Sequence, residues 1–494
     1  MKGFLRAFNW LKKSEKGIFL GLFLYGFFVR LPFFFRDYID RDESTFILMG
    51  QSWVDGHLPF TELWDIKPPL TFFFFAIPIY LFGKSFIAIR LLGVFFITVS
   101  SFYTYKLSLT NTSRRIAVIV GLLTVSLQSM FGSLQGLMSE HISMAFLVPA
   151  IWFLTKKDMP TWNVFISGLL VGCALMVKLN LAYIGLFVGL VVIYTAYQKS
   201  RSKSSLIQPV VYGLGILLVI LLTFLPYYFN NLSLLWWKSV IKAPLAYAGA
   251  RQYSSIKLIL YLSPFVLLLF FGWRKKVFNL KNQTILLLII TTLGTLVAYV
   301  KGGRVNGHYL ILIYPLVLPL LAIAVSKLVK IRLPKPLITI GILFLLIPIE
   351  SYLEYAAILK NNVERKTFYN GEGISVPKYF IENKLETDNV LYLEYHIGYW
   401  VMGIKPPTKS AIQPSNILKD EMFFAYDNPR TTGEEELKYI LESRKPDYII
   451  TRKNRRIFDK KEIAVNFYTN LQLLQHYTVL DTVEGAIIHK RLKR

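Results

Sequence analysis

The sequence predicts a polytopic α-helical membrane protein of about eleven transmembrane helices, followed by a small C-terminal α/β domain. Hydrophobic residues make up 54% of the 494 positions and aromatics 15%, above the ~45–50% apolar content of soluble domains. Apolar runs such as 17–35, 210–229 and 309–325 approach the ~30 Å hydrocarbon thickness at ~1.5 Å per helical residue. After residue 352 the composition shifts to frequent charge, with 22 Lys and Arg against 19 Asp and Glu.

Taken in order, the spans fall at about 17–35, 86–105, 116–132, 141–155, 162–177, 181–197, 206–229, 256–272, 284–300, 309–326 and 337–352. The first run is too long for a cleaved leader and has no small-residue cleavage site, so it is expected to stay as a helix. With the N-terminus cytoplasmic, the segments on that side hold 21 Lys and Arg and the longer external segments only 10. The positive-inside rule selects this orientation: an inner (plasma) membrane protein with its C-terminal domain external. Counting 70–83 as a further span would put five basic loops outside. Its short, Phe-rich run after two prolines instead predicts a re-entrant or interfacial segment.

Domain boundaries follow at 1–352 for the membrane part and 353–494 for the external domain, which is of ordinary domain size. Within the latter, 376–385 and 434–444 have helical spacing, while 390–403, 446–453 and 485–491 read as strands. Tyr392, Tyr395, Tyr399 and Trp400 are expected in its core. The net charge of +26 is spread in short clusters between apolar runs, which fits anionic lipid headgroups and argues against nucleic acid. Cys173, the only cysteine, lies in an apolar run, so no intramolecular disulfide exists.

Residues 1–352 contain eleven acidic side chains, and seven of them (Asp37, Asp40, Asp42, Glu43, Asp55, Glu62, Asp65) fall in one external loop, 36–69. Charge concentrated beside a bilayer marks a candidate site. Lys67, just before the interfacial segment, has the charge an anionic lipid phosphate needs. Arg90, Glu140, Lys178, Lys301, Arg304 and His308 are all expected near the same external face. Each has an ordinary alternative, such as snorkelling for Arg90 or helix anchoring for Lys178; their convergence does not.

RDEST, then GHLPFTELWDIKPPL, then LFGKSFIAIRLLG resembles the first external loop and following segments of GT-C membrane glycosyltransferases. The type is that of the dolichyl-phosphate-mannose-protein mannosyltransferases and aminoarabinose transferases. SEHISMAFL, GCALMVKLN and GRVNGHYLILIYP resemble later motifs in the same order, over residues 17–330. The resemblance implies a GT-C fold and inverting transfer of one hexose or pentose from a polyprenyl-phosphate-linked donor. The acceptor is an external lipid, glycan or protein.

On this reading Asp42 is the general base, with Glu43 as its orienting neighbour. Lys67, Arg90, Lys301 and Arg304 bind the donor phosphate and stabilise its developing charge. Asp65, Glu140, Lys178, His308 and Tyr309 bind substrate. No cofactor is certain: a divalent cation on Glu140 is an option, although no tight metal-ligand spacing occurs. The Asp40-Arg41-Asp42 string faces outward and lacks a nucleotide-binding companion, which favours a lipid-carried donor. A transporter or flippase for lipid-linked glycans is the competing class, but no inverted repeat supports it.

Overall fold

The computed structural model describes residues 14–130, 132–156, 158–199, 207–250, 255–302, 306–328, 341 and 344–492. The chain divides into two compact units. One comprises Met1–Leu31, Arg90–Leu225 and Ala248–Leu353, the other Pro32–Ile89, Pro226–Tyr247 and Glu354–Arg494.

Among the described residues six helical segments, rather than eleven, reach span length: Glu15–Phe35, Phe86–Leu109, Leu179–Gln198, Ile207–Phe229, Ile256–Arg274 and Gln283–Gly302. Pro69–Phe82, Ser139–Leu154, Thr161–Val177 and Tyr314–Leu328 are shorter apolar helices. The run expected at 116–132 forms a 14-residue helix, Arg114–Leu127. Positions 337–340 and 342–343 of the last expected span, 337–352, lie outside the described residues. The chain is a multi-pass membrane protein.

In the first unit, Arg30 ends the Glu15–Arg30 helix fully buried. Its guanidinium donates to the carbonyls of Leu134 (2.6 Å), Gln135 (2.9 Å) and Gly136 (2.7 Å), and to Ser129 Oγ (3.3 Å). Arginine suits this because its five donors form a fixed fork. His141 takes up a further end of the same loop, with Nε2 2.9 Å from the Gln128 carbonyl and Nδ1 accepting from the Met138 N–H. The irregular stretch 128–138 is thereby held in one shape, and it delivers Glu140 in the first turn of Ser139–Leu154.

In the second unit, the stretch read as an external loop contains a helix, Arg41–Val54. Asp40 is its N-cap, accepting from the Asp42 N–H at 2.8 Å, and Asp42 and Glu43 occupy the first turn, where the helix dipole favours carboxylates. Pro68 and Pro69 open the next helix, Pro69–Phe82. Gly50 lets these two helices meet: a Cβ there would stand 2.8 Å from Phe75 Cβ.

The C-terminal residues of this unit carry a four-stranded sheet of order β1-β2-β4-β3, where β1 is Val390–Tyr392, β2 Tyr448–Arg452, β3 Tyr477–Val483 and β4 Ala486–Arg491. β1 and β2 are parallel; the other pairs are antiparallel. Leu391, Ile417, Leu437, Ile440, Ile449 and Leu473 build one core, each such burial contributing about 1.5–3 kcal/mol.

The expected helices are present as Glu372–Glu382 and Gly433–Lys438, the second continuing as a π turn to Arg444. The strand expected over 390–403 stops at Tyr392. Tyr395 adopts a left-handed backbone, φ +56°, and Gly398 starts a short helix to Met402. Tyr392, Tyr395, Tyr399 and Trp400 are nevertheless all buried, as core residues should be.

Candidate active site

The second unit assembles a ring of polar side chains around the start of the Arg41–Val54 helix. Asp42, 29% exposed, has Oδ2 3.5 Å from Lys67 Nζ, and its Oδ1 accepts from the Gln413 side-chain amide at 3.0 Å. Asp65, buried, accepts from the Lys67 backbone N–H and from Asn416 Nδ2, both at 3.4 Å. Gln413 and Asn416 flank one 3-10 turn, so the C-terminal part of the chain closes the ring. Behind it, buried Lys419 donates to Asn416 Oδ1 at 2.7 Å. Lys67 also lies 5.2 Å from the Phe46 ring centroid, which limits its side-chain freedom.

Glu43 is buried, so of the two neighbouring carboxylates only Asp42 is presented to solvent. The Asp-x-Asp string is not one site. Asp40 caps the helix, and Arg41 turns to the Glu394 carboxylate, which it binds through Nη2 and, at 3.4 Å, through Nε. Tyr38 adds its hydroxyl to Glu394 at 2.6 Å. Burial pushes the Glu394 carboxyl upward, but the hydrogen bonds and charge of Arg41, with Tyr38, hold it below the usual range.

His396 completes this support. Its Nε2 lies 3.1 Å from both the Arg41 carbonyl and Thr45 Oγ1, while Nδ1 has no hydrogen-bond partner among the described residues. A carbonyl only accepts, so Nε2 carries the hydrogen, and the buried Nδ1 has no acceptor among the described residues to favour a second proton. Burial lowers its pKa to about 4. The unfolded ring protonates near 6.5, so between those values the unfolded state holds an extra proton. Stability should therefore fall as pH drops from about 6.5 to about 4, by at most about 3 kcal/mol. Unfolding temperatures of the full chain in detergent should show this, and His396→Gln should flatten that part of the curve.

The first unit holds a second polar centre. Lys178, at the end of Thr161–Val177, donates to Glu140 Oε1 at 2.6 Å, with both side chains buried. Ser139 Oγ donates to Oε2 at 3.0 Å. His308 Nε2 is 3.8 Å from the same Oε1, and the Lys178 ammonium lies 4.4 Å from the centroid of Tyr309. His308 and Tyr309 sit on the 3-10 helix Gly307–Leu312, and the Tyr299 hydroxyl donates to the Tyr309 carbonyl. Glu140, Lys178, His308 and Tyr309 thus stand together in the first unit. Among the described residues no three of His, Cys, Asp and Glu converge as a metal-binding group.

Arg90 is buried in the Phe86–Leu109 helix, and Lys301 is exposed at the end of Gln283–Gly302. Arg304 lies outside the described residues.

Residues 66–229 match the family described as dolichyl-phosphate-mannose-protein mannosyltransferase. Two crystal structures of ArnT from Cupriavidus metallidurans share the fold, each covering 96% of this chain and 97% of their own. The one bound to undecaprenyl phosphate gives a TM-score of 0.59 at 12% identity, and the apo form 0.62 at 13%. The chain therefore shares the fold of these structures, and its residues 66–229 are similar to the mannosyltransferase family. No curated protein sequence matches it. The family match begins at Ile66, beside Lys67, and takes in Arg90, Glu140 and Lys178; Asp42 and the C-terminal residues lie outside it. Sequence reasoning missed the contribution of Gln413 and Asn416. They are neutral amides some 350 residues beyond their carboxylate partners, without charge or motif to signal them.

Proposed function

We propose that this chain transfers a sugar from a polyprenyl-phosphate-linked donor to an acceptor at the external face of the plasma membrane, with inversion at the anomeric carbon. One observation carries the reading. A partly exposed carboxylate, Asp42, stands 3.5 Å from the Lys67 ammonium in a chain that shares its fold with an ArnT bound to undecaprenyl phosphate.

The acceptor O–H or N–H gives its proton to Asp42 as the acceptor atom bonds to the anomeric carbon. The bond from that carbon to the phosphate oxygen breaks, and its electron pair leaves on the phosphate. The Asp42 carboxylate, partly exposed and oriented by Gln413 and Lys67, is placed for general-base work. Lys67 stabilises the charge growing on the leaving phosphate. Inversion follows from a single displacement with no covalent intermediate. Within the membrane unit, Lys178, His308 and Tyr309 are assigned to binding substrate, with Glu140 holding Lys178 in place.

The test compares cells with and without the intact chain by mass spectrometry of their glycolipids and glycoproteins. One glycoform should vanish without the chain, and the missing mass names the sugar and its acceptor. Purified protein should also retain undecaprenyl phosphate in native mass spectrometry. Unchanged glycoform profiles together with no lipid phosphate binding would overturn the reading.

A further inference from the structure

The connection between β2 and the Ile463–His476 helix carries Lys453, Arg455, Arg456, Lys460 and Lys461, all exposed, against two carboxylates, Asp459 and Glu462. This basic edge is ordered. Asn466, buried on the helix, accepts from the Phe458 N–H at 3.0 Å and donates to the carbonyls of Asp459 (3.2 Å) and Glu462 (2.7 Å), with Phe458 buried beneath. One turn apart on the helix that follows, Ile463 and Phe467 are 76% and 70% exposed. Bare apolar side chains beside dense positive charge suit the interface of an anionic bilayer better than water.

The sheet topology says which way this edge faces. β1 and β2 are parallel, so their C-terminal ends share one end of the sheet. Past β1 come Glu394 and His396, which bind Arg41 and Thr45. The helix carrying those two packs, at Gly50, on Pro69–Phe82, an apolar helix with Tyr80, Leu81 and Phe82 exposed. Past β2 come Arg452, 5.9 Å from the Tyr395 ring centroid, and then the basic loop. The loop leaves the sheet at the end that holds the lipid-seeking helix. The Ile463–His476 helix runs from there to the opposite end, where Tyr477 pairs with Arg491.

We infer that loop 453–461, with Ile463 and Phe467, docks on the anionic headgroups of the bilayer and holds the C-terminal domain against the membrane. The cations pair with lipid phosphates, and the two apolar side chains enter the interface. Leu474, 81% exposed, lies eleven residues beyond Ile463, about 16 Å along the helix axis, and stays in water. The proposal uses only the membrane setting and the sheet geometry, so it stands or falls independently of the reaction.

Full-length protein carrying Cys173→Ser and one spin label, through Phe467→Cys or Leu474→Cys, is placed in nanodiscs of phosphatidylglycerol or of phosphatidylcholine. Access of a water-soluble nickel complex is read by power saturation. Each Lys or Arg at an anionic surface raises docking about fivefold, so the label at 467 should be at least about fivefold less accessible in phosphatidylglycerol than in phosphatidylcholine. The label at 474 should be equally accessible in both. Replacing the five basic residues by Gln should return the 467 label to full accessibility in phosphatidylglycerol. A water-exposed 467 label in phosphatidylglycerol overturns the inference. Shielding of 467 and 474 alike, whatever the lipid charge, also overturns it and identifies a protein surface over the whole stripe.

Discussion

Asp42→Asn is expected to lower sugar transfer by about 10²–10⁴-fold, the range of a removed general base, while the chain stays folded and still binds lipid phosphate. The substitution is nearly isosteric, and the Gln413 amide can still donate to the remaining carbonyl oxygen. What is lost is the basic lone pair that accepts the acceptor's proton. Affinity for the donor should change little, because the charge assigned to the phosphate is that of Lys67. The loss should therefore appear in kcat, with KM for the donor nearly unchanged. A variant that transfers sugar at the parental rate would remove Asp42 from the mechanism.

The second large effect is on stability. Lys178→Met should destabilise the chain by about 3–5 kcal/mol, because it strands the Glu140 carboxylate in a buried setting. Glu140 is 1% and Lys178 8% exposed, so solvent offers neither ion much compensation. Glu140→Gln combined with Lys178→Met removes both charges and should recover most of the loss. Thermal unfolding in detergent of the two single variants and the pair gives the coupling directly. Additive losses would mean that the ions do not depend on each other.

These two centres were unequally legible in the sequence. Glu140, Lys178 and His308 stand out because charge is rare in apolar runs, and rarity is a signal that survives without any structure. Asp42 and Lys67 stand out for the opposite reason, the concentration of charge in 36–69 beside the apolar runs. The helix at Arg41–Val54 was equally signposted, by a capping Asp40 and two acids in the first turn, but a dense cluster of charge reads as solvated loop until its burial is known. Gln413 and Asn416 had no such marker, since an amide becomes functional only through what it touches.

The same contrast runs through the fold. β2 and β4 were readable from their apolar alternation and turn residues. The stretch 390–403 was not, because its aromatics are core residues of a turn. The left-handed Tyr395 bends the chain, and Gly398 is needed where a Cβ would strike the Tyr392 ring at 2.4 Å. Periodicity records which side chains are buried and carries no account of backbone bends. Span length was less legible than span position. Apolar runs near 116–132 and 141–155 form helices of 14 and 16 residues, and an apolar run does not record where its helix begins and ends.

Arg30 makes biogenesis depend on order. The ribosome delivers this guanidinium about a hundred residues before the carbonyls that it gathers at 134–136. The opening helix is thus a waiting template, and the later stretch can lose its backbone hydration only after that template is in place. A chain lacking its first helix would keep its other hydrophobic segments yet have nothing to mould the approach to Glu140, so truncation should leave an inserted but misassembled protein.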